Sequence, residues 1–250
     1  MHIQAYRIGE DKRVMLPVVV SMDGFLLTHT FEPVEVPNAE DVNRFLPKYS
    51  PKYFLTTKNP MTFGSFAEPD KYMEARYILN EVLNQSKVLI SEVARDFKDA
   101  FGRFGGDLVE EYNTKDADIV LVGMGSIIST MKEVTDELRK RNNRIGVLKI
   151  RSFRPFPDKE IVSCLKDKKK VIVVEKAISL GFGSILANEI KSVLYNSGAA
   201  PRVDSFIAAL GGRDISKETI SKIIEKSMTE KVDLEFVDLN REILPEDFSE

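Results

Sequence analysis

The sequence runs to 250 residues, 43% hydrophobic and 30% charged, enough apolar material for two compact cores or one large one. Its 36 basic and 39 acidic residues are spread along the chain and leave a net charge of −3, which argues against a nucleic-acid binder with a dedicated basic face. The single Cys164 excludes a disulfide framework, an iron–sulfur cluster or a cysteine-rich zinc site within the chain, and His2 and His29 make no metal pair, so no metal site is expected.

Met1–Arg7 lacks the apolar h-region of a signal peptide, and residues 1–12 read as polar and weakly helical. No run approaches the roughly 18 apolar residues of a membrane helix, so the expectation is a soluble, cytoplasmic chain. Val14 to Met22 is nearly continuous in apolar residues and predicts a strand buried on both faces, with Pro17 as a warning against a central position. Asp23-Gly24 breaks it. Phe25 to Ala67, punctuated by five prolines (33, 37, 47, 51 and 60), predicts irregular structure with a short helix from Ala39 to Phe45. The longest helix is expected from about Asp70 to Phe101, with Tyr72, Leu79, Leu83, Ile90, Val93, Phe97 and Phe101 as its apolar stripe and Gly102 as its stop. Leu108 to Tyr112 reads as an extended connector.

From Asp116 onward strands and helices alternate. Strands are predicted at Ile119–Val122, Ile145–Ile150, Val171–Val174, Val203–Ile207 and Leu234–Val237, and amphipathic helices between them. Ser216 is placed to cap the last helix, with Ile215 and Ile220 as a staple. Such alternation gives parallel strands joined by right-handed crossovers and covered on both faces. The predicted fold class is therefore α/β. A doubly wound, mostly parallel domain occupies residues 113–250, and residues 1–112 form the tail of another domain, with the long helix and too few strands for a sheet.

No catalytic residue can be assigned from motif or spacing. Gly123-Met124-Gly125-Ser126 follows a strand and opens a helix, where free backbone N–H groups could receive a phosphate; a tight strand-to-helix turn is the competing reading, since position 128 is isoleucine. Gly181-Phe182-Gly183-Ser184 poses the same choice. Arg151 and Arg154 stand among Phe153 and Phe156 at a strand end, suited to a carboxylate or phosphate, or to packing against a partner. Gly211, Gly212 and Arg213 follow another strand, where Arg213 could equally pair with Asp214. Glu175 ends its strand with no partner evident in sequence. Cys164 reads as a buried, inert thiol. The candidate binding residues are thus Gly123, Gly125, Ser126, Arg154, Gly211, Gly212 and Arg213.

Several stretches, in order, resemble the α subunit of pyruvate (2-oxoacid):ferredoxin oxidoreductases. They are Ala5–Ile8, Leu16-Pro17-Val18, Asp23-Gly24-Phe25 with His29-Thr30, Phe101-Gly102-Arg103, Val109–Tyr112, Gly125-Ser126, Arg154–Pro157, Val174-Glu175-Lys176 with Gly181, and Gly211–Asp214. The resemblance implies that residues 1–112 are similar to the end of a thiamine-diphosphate pyrimidine-binding domain, and residues 113–250 to a transketolase C-terminal-like domain. It implies a complex that decarboxylates a 2-oxoacid on thiamine diphosphate, passes electrons through iron–sulfur clusters to ferredoxin, and forms an acyl-CoA. The implied partners are a β subunit carrying thiamine diphosphate and iron–sulfur clusters, and γ and δ subunits or their equivalent. The family's cofactor-activating glutamate and its substrate-contacting threonine and arginine lie early in the first domain and match nothing here. On that reading this chain is expected to be N-terminally incomplete, to bind no cofactor alone and to be inactive alone. The alternative is a non-catalytic assembly or dimerisation module that binds a small anion at Gly123–Ser126.

Overall fold

Helices precede a six-stranded sheet in the computed structural model, which describes residues 1–64 and 66–248. In chain order, α1 (His2–Gly9), α2 (Leu26–His29), α3 (Ala39–Phe45) and α4 (Pro69–Phe101) come first. They are followed by β1 (Val109–Tyr112), β2 (Ile119–Gly123), α5 (Ile127–Arg139), β3 (Ile145–Ile150), α6 (Asp158–Leu165) and β4 (Lys170–Glu175). The series closes with α7 (Leu186–Asn196), β5 (Arg202–Ile207), α8 (Lys217–Thr229) and the short β6 (Glu235–Phe236). Two units result. The first holds residues 1–21, 31–108 and 151–157; the second holds residues 22–30, 109–150 and 158–250.

In the first unit, Pro69 at the helix start and Gly102 in the left-handed conformation (φ 67°) delimit α4, whose final turn is closed by the Gly102 N–H donating to the Lys98 carbonyl at 2.7 Å. Only the carboxyl-terminal half of α4 packs. Leu89, Val93 and Phe97 are buried with Val14 and Phe45, and the Phe45 ring lies 5.5 Å from those of both Phe97 and Phe101. Tyr72, Met73, Tyr77, Ile78 and Leu79 in the other half face solvent, so the predicted stripe is realised only toward its end, and there through Leu89 rather than Ile90. The strand expected at Val14 to Met22 is not formed. Residues 15–22 pair with no strand among the described residues, and Val19 is 85% exposed. A valine-rich run becomes a strand only when a neighbour supplies the ladder, and no strand among the described residues borders this one.

In the second unit the sheet order is β1-β3-β2-β4-β5-β6, parallel throughout except for β1, which runs antiparallel to β3. Tyr112 opposes Val147 in that pairing, so the segment expected as a connector is an edge strand. Leu121, Ile172, Val174 and Phe206 share a core with Ile127, Met131 and Val134 of α5 and with Ile220, Ile223 and Ile224 of α8. The alternate residues Val120, Val122, Val171 and Val173 point to the other face and are equally buried; α6 and α7 pack against each other, and their Ile161, Leu165, Leu186 and Ile190 are buried. The result is a doubly wound α/β layer, as the alternation of strands and helices predicts. No helix among the described residues is long and apolar enough to cross a membrane.

Candidate functional site

From β2 the chain moves to β3 on one side and returns through α6 to β4 on the other, so the strand order reverses at β2. At such a reversal the flanking helices leave on opposite faces, opening a crevice at the carboxyl ends where open α/β sheets take their ligands. The crevice lies between the ends of β2 and β4. It is lined by Gly125 and Ser126 after β2 and by Lys176 after β4.

The turn after β2 needs its glycines for space. A Cβ on Gly123 would lie 3.0 Å from the Val174 carbonyl oxygen and 3.1 Å from Ile127 and Met131, and Gly125 sits at φ 73°. Its backbone donor is occupied. The Ser126 N–H donates to Asp23 Oδ2 at 2.6 Å, and Lys176 Nζ stands 3.4 Å from Asp23 Oδ1. An internal carboxylate therefore occupies the turn that, on one of the two sequence readings, could have received an exogenous anion. Burial raises the Asp23 carboxyl pKa, but hydrogen bonding from Ser126 and the Lys176 charge outweigh it and hold it below the ordinary value.

Gly211 and Gly212 follow β5 with φ 67° and 85°, and a Cβ on Gly212 would be 4.0 Å from Phe25 Cβ. Arg213 does not pair with Asp214: its guanidinium donates to the Asp238 carbonyl, while Asp214 accepts from the Ile215 N–H at 2.9 Å. Arg154 belongs to the first unit, stacked 4.3 Å over Phe153 and 5.9 Å from Phe156.

Glu175 is not isolated. Its carboxylate accepts from Ile185 N–H at 3.1 Å, Leu186 N–H at 2.9 Å and Ala187 N–H at 3.3 Å, satisfying orphan donors at the start of α7. Only 5% exposed, it holds α7 onto the sheet. Cys164 is buried, and burial together with the Glu111 charge pushes its thiol up to about 12, so it stays protonated and unreactive. Sequence reading missed Asp23 and Lys176 as partners of the glycine turn. Asp23 lies 103 positions from Ser126, and no local pattern signals a pairing over that distance.

A family model described as pyruvate:ferredoxin oxidoreductase core domain II matches residues 117–220, and one described as pyruvate flavodoxin/ferredoxin oxidoreductase, thiamine diP-bdg, matches residues 1–95. Pyruvate synthase subunit PorA of Methanothermobacter thermautotrophicus is 43% identical over 238 residues, covering 95% of this chain and 61% of that one. The corresponding subunit of Methanosarcina barkeri is 41% identical over 249 residues (96% and 61%), and that of Methanocaldococcus jannaschii 46% over 225 residues (89% and 57%). The chain thus spans about three-fifths of the length of these relatives. With both of its units matched, it belongs to the α-subunit family of the pyruvate:ferredoxin oxidoreductases.

Proposed function

We propose that the chain is a structural component of a 2-oxoacid:ferredoxin oxidoreductase, most directly one acting on pyruvate, and that it works only together with other polypeptides. The similarity to pyruvate synthase subunits along 95% of its length carries this reading. In it, residues 1–112 contribute part of a thiamine-diphosphate pyrimidine-binding domain and residues 113–250 a transketolase C-terminal-like domain. The assembly, acting in the cytoplasm, decarboxylates its substrate oxidatively to an acyl-CoA and passes electrons through iron–sulfur clusters to ferredoxin.

The residues at the sheet crevice do not fit a thiamine diphosphate. The Gly125–Ser126 turn already receives Asp23 on its backbone donor, and no group of three or more His, Cys, Asp or Glu that could hold a metal occurs among the described residues. In this reading the cofactor chemistry lies with partner chains of the β, γ and δ kind. The first unit supports an assembly role through its exposed apolar side chains, among them Phe31, Val34, Val36, Phe66 and the Tyr72, Met73 and Tyr77 of α4.

Affinity capture of the tagged chain from its native cell extract, followed by mass spectrometry, tests the reading. Recovery of thiamine-diphosphate and iron–sulfur subunits is expected. Recovery of the chain alone, folded, would overturn it in favour of a free-standing assembly module.

A further inference from the structure

Residues 22–30 belong to the second unit, although the sequence on either side of them, 1–21 and 31–108, belongs to the first. This short excursion meets the carboxyl ends of three adjacent strands. Asp23 reaches Ser126 after β2 and Lys176 after β4, and Phe25 lies against Gly212 after β5. Gly125 is shaped around the contact, since a Cβ there would stand 2.7 Å from Asp23 Oδ2.

The described apolar side chains of the excursion lie largely in solvent. Met22 and Phe25 are each 68% exposed and Leu27 is 48% exposed. Its single helical turn is closed locally, with His29 Nδ1 2.8 Å from the Phe25 carbonyl oxygen. Phe25 itself adopts φ 59° and ψ −85°, a conformation that a bulky L-residue keeps only when its surroundings impose it. A segment with few buried apolar contacts and a strained residue sits at the low end of local stability, so its attachment rests on the polar contacts it makes.

We propose that residues 22–30 form a releasable strap across the carboxyl edge of the sheet, with Asp23 as an internal ligand locking it into the switch-point crevice. The glycine turn and Lys176 then serve to receive this carboxylate. With the strap closed, the crevice is filled by the chain itself; with Asp23 released, the Ser126 N–H and Lys176 are exposed to solvent together. The proposal is independent of which reaction the assembly catalyses.

Hydrogen exchange with peptide-level mass spectrometry on the full chain tests it, comparing wild type with Asp23→Asn and Lys176→Met. In Asp23→Asn, peptides covering 22–30 and the Ser126 amide should exchange roughly tenfold faster, the loss expected for a charge-assisted hydrogen bond. The interiors of β2, β4 and β5 should be unchanged. Lys176→Met, which keeps the carboxylate but removes its counter-charge, should accelerate the same peptides by a smaller factor. Wild-type exchange at 22–30 in both variants would overturn the proposal. So would acceleration spread evenly over the whole sheet, because Asp23 would then be an ordinary stabilising contact rather than a lock.

Discussion

One residue that a motif search would treat as chemistry, and one glycine that no motif marks, are fixed by packing. Glu175 looks like a lone acid at the end of a strand, but its carboxylate accepts three backbone N–H groups at the start of α7. Glu175→Ala leaves those donors buried and unsatisfied and should destabilise the second unit by about 2–4 kcal/mol, read by urea denaturation. Glu175→Gln, which keeps an acceptor, should cost less; equal stability of all three proteins would contradict the capping role. Gly146 in β3 has a stricter constraint. A Cβ there would fall 2.6 Å from the Asn113 carbonyl oxygen and 2.8 Å from Thr114 Cα, both backbone atoms unable to swing aside. Gly146→Ala should therefore lower stability by about 2–3 kcal/mol, as overpacking does, in the same denaturation assay.

At the scale of elements, α4 is one helix with two environments. Its last three turns pack on Val14 and Phe45, while its first half carries Tyr72, Met73, Tyr77 and Ile78 into solvent. Leu89→Ala should cost about 2–4 kcal/mol through lost burial and a cavity. Tyr72→Ala should stay within about 0.5 kcal/mol in the isolated chain. Amide exchange should follow the same gradient, fast at 70–80 and slow at 89–101; uniform protection along α4 would contradict it. The sequence made this helix legible from end to end, because periodicity and the Pro69 and Gly102 punctuation are local signals. Which half is covered was not legible, since a helical stripe reports only that a face is apolar and not whether a neighbour is present. Val14 to Met22 failed for the same reason: valine content predicts a strand, but strand formation depends on a partner.

Across the whole molecule, the βα alternation after Asp116 gave the strands of the second unit nearly to the residue, because each strand is a short valine- and isoleucine-rich run bounded by turn residues. The candidate site was only half visible. Gly123, Gly125 and Ser126 announce a turn that can receive an anion, but the anion it receives is Asp23, brought there by topology. Paired carboxylates, Asp23 among them, set the response to acid. Asp11, Asp23, Asp116, Asp118 and Asp233 each have carboxyl pKa values held below the ordinary 3.8, chiefly by arginine, lysine or backbone partners. A depressed folded-state pKa contributes stability that is fully present above the unfolded value and is lost as pH falls through the folded one. Stability should hold level down to about pH 4 and decline below it. For the exposed pairs the loss is screened and small. In Asp23→Asn the acid decline should be shallower than in wild type, as monitored by thermal denaturation across pH; identical profiles would remove Asp23 from the account.

The central claim, that this chain is one component of a pyruvate-oxidising assembly, is tested most directly by reconstitution. Purified chain is combined with the thiamine-diphosphate and iron–sulfur subunits recovered from its own cells, and pyruvate- and CoA-dependent reduction of a viologen dye is followed anaerobically. Dye reduction that requires this chain, and that it cannot support alone, is the predicted result. Full activity of the other subunits without it, or no activity with it under any 2-oxoacid, would contradict the assignment.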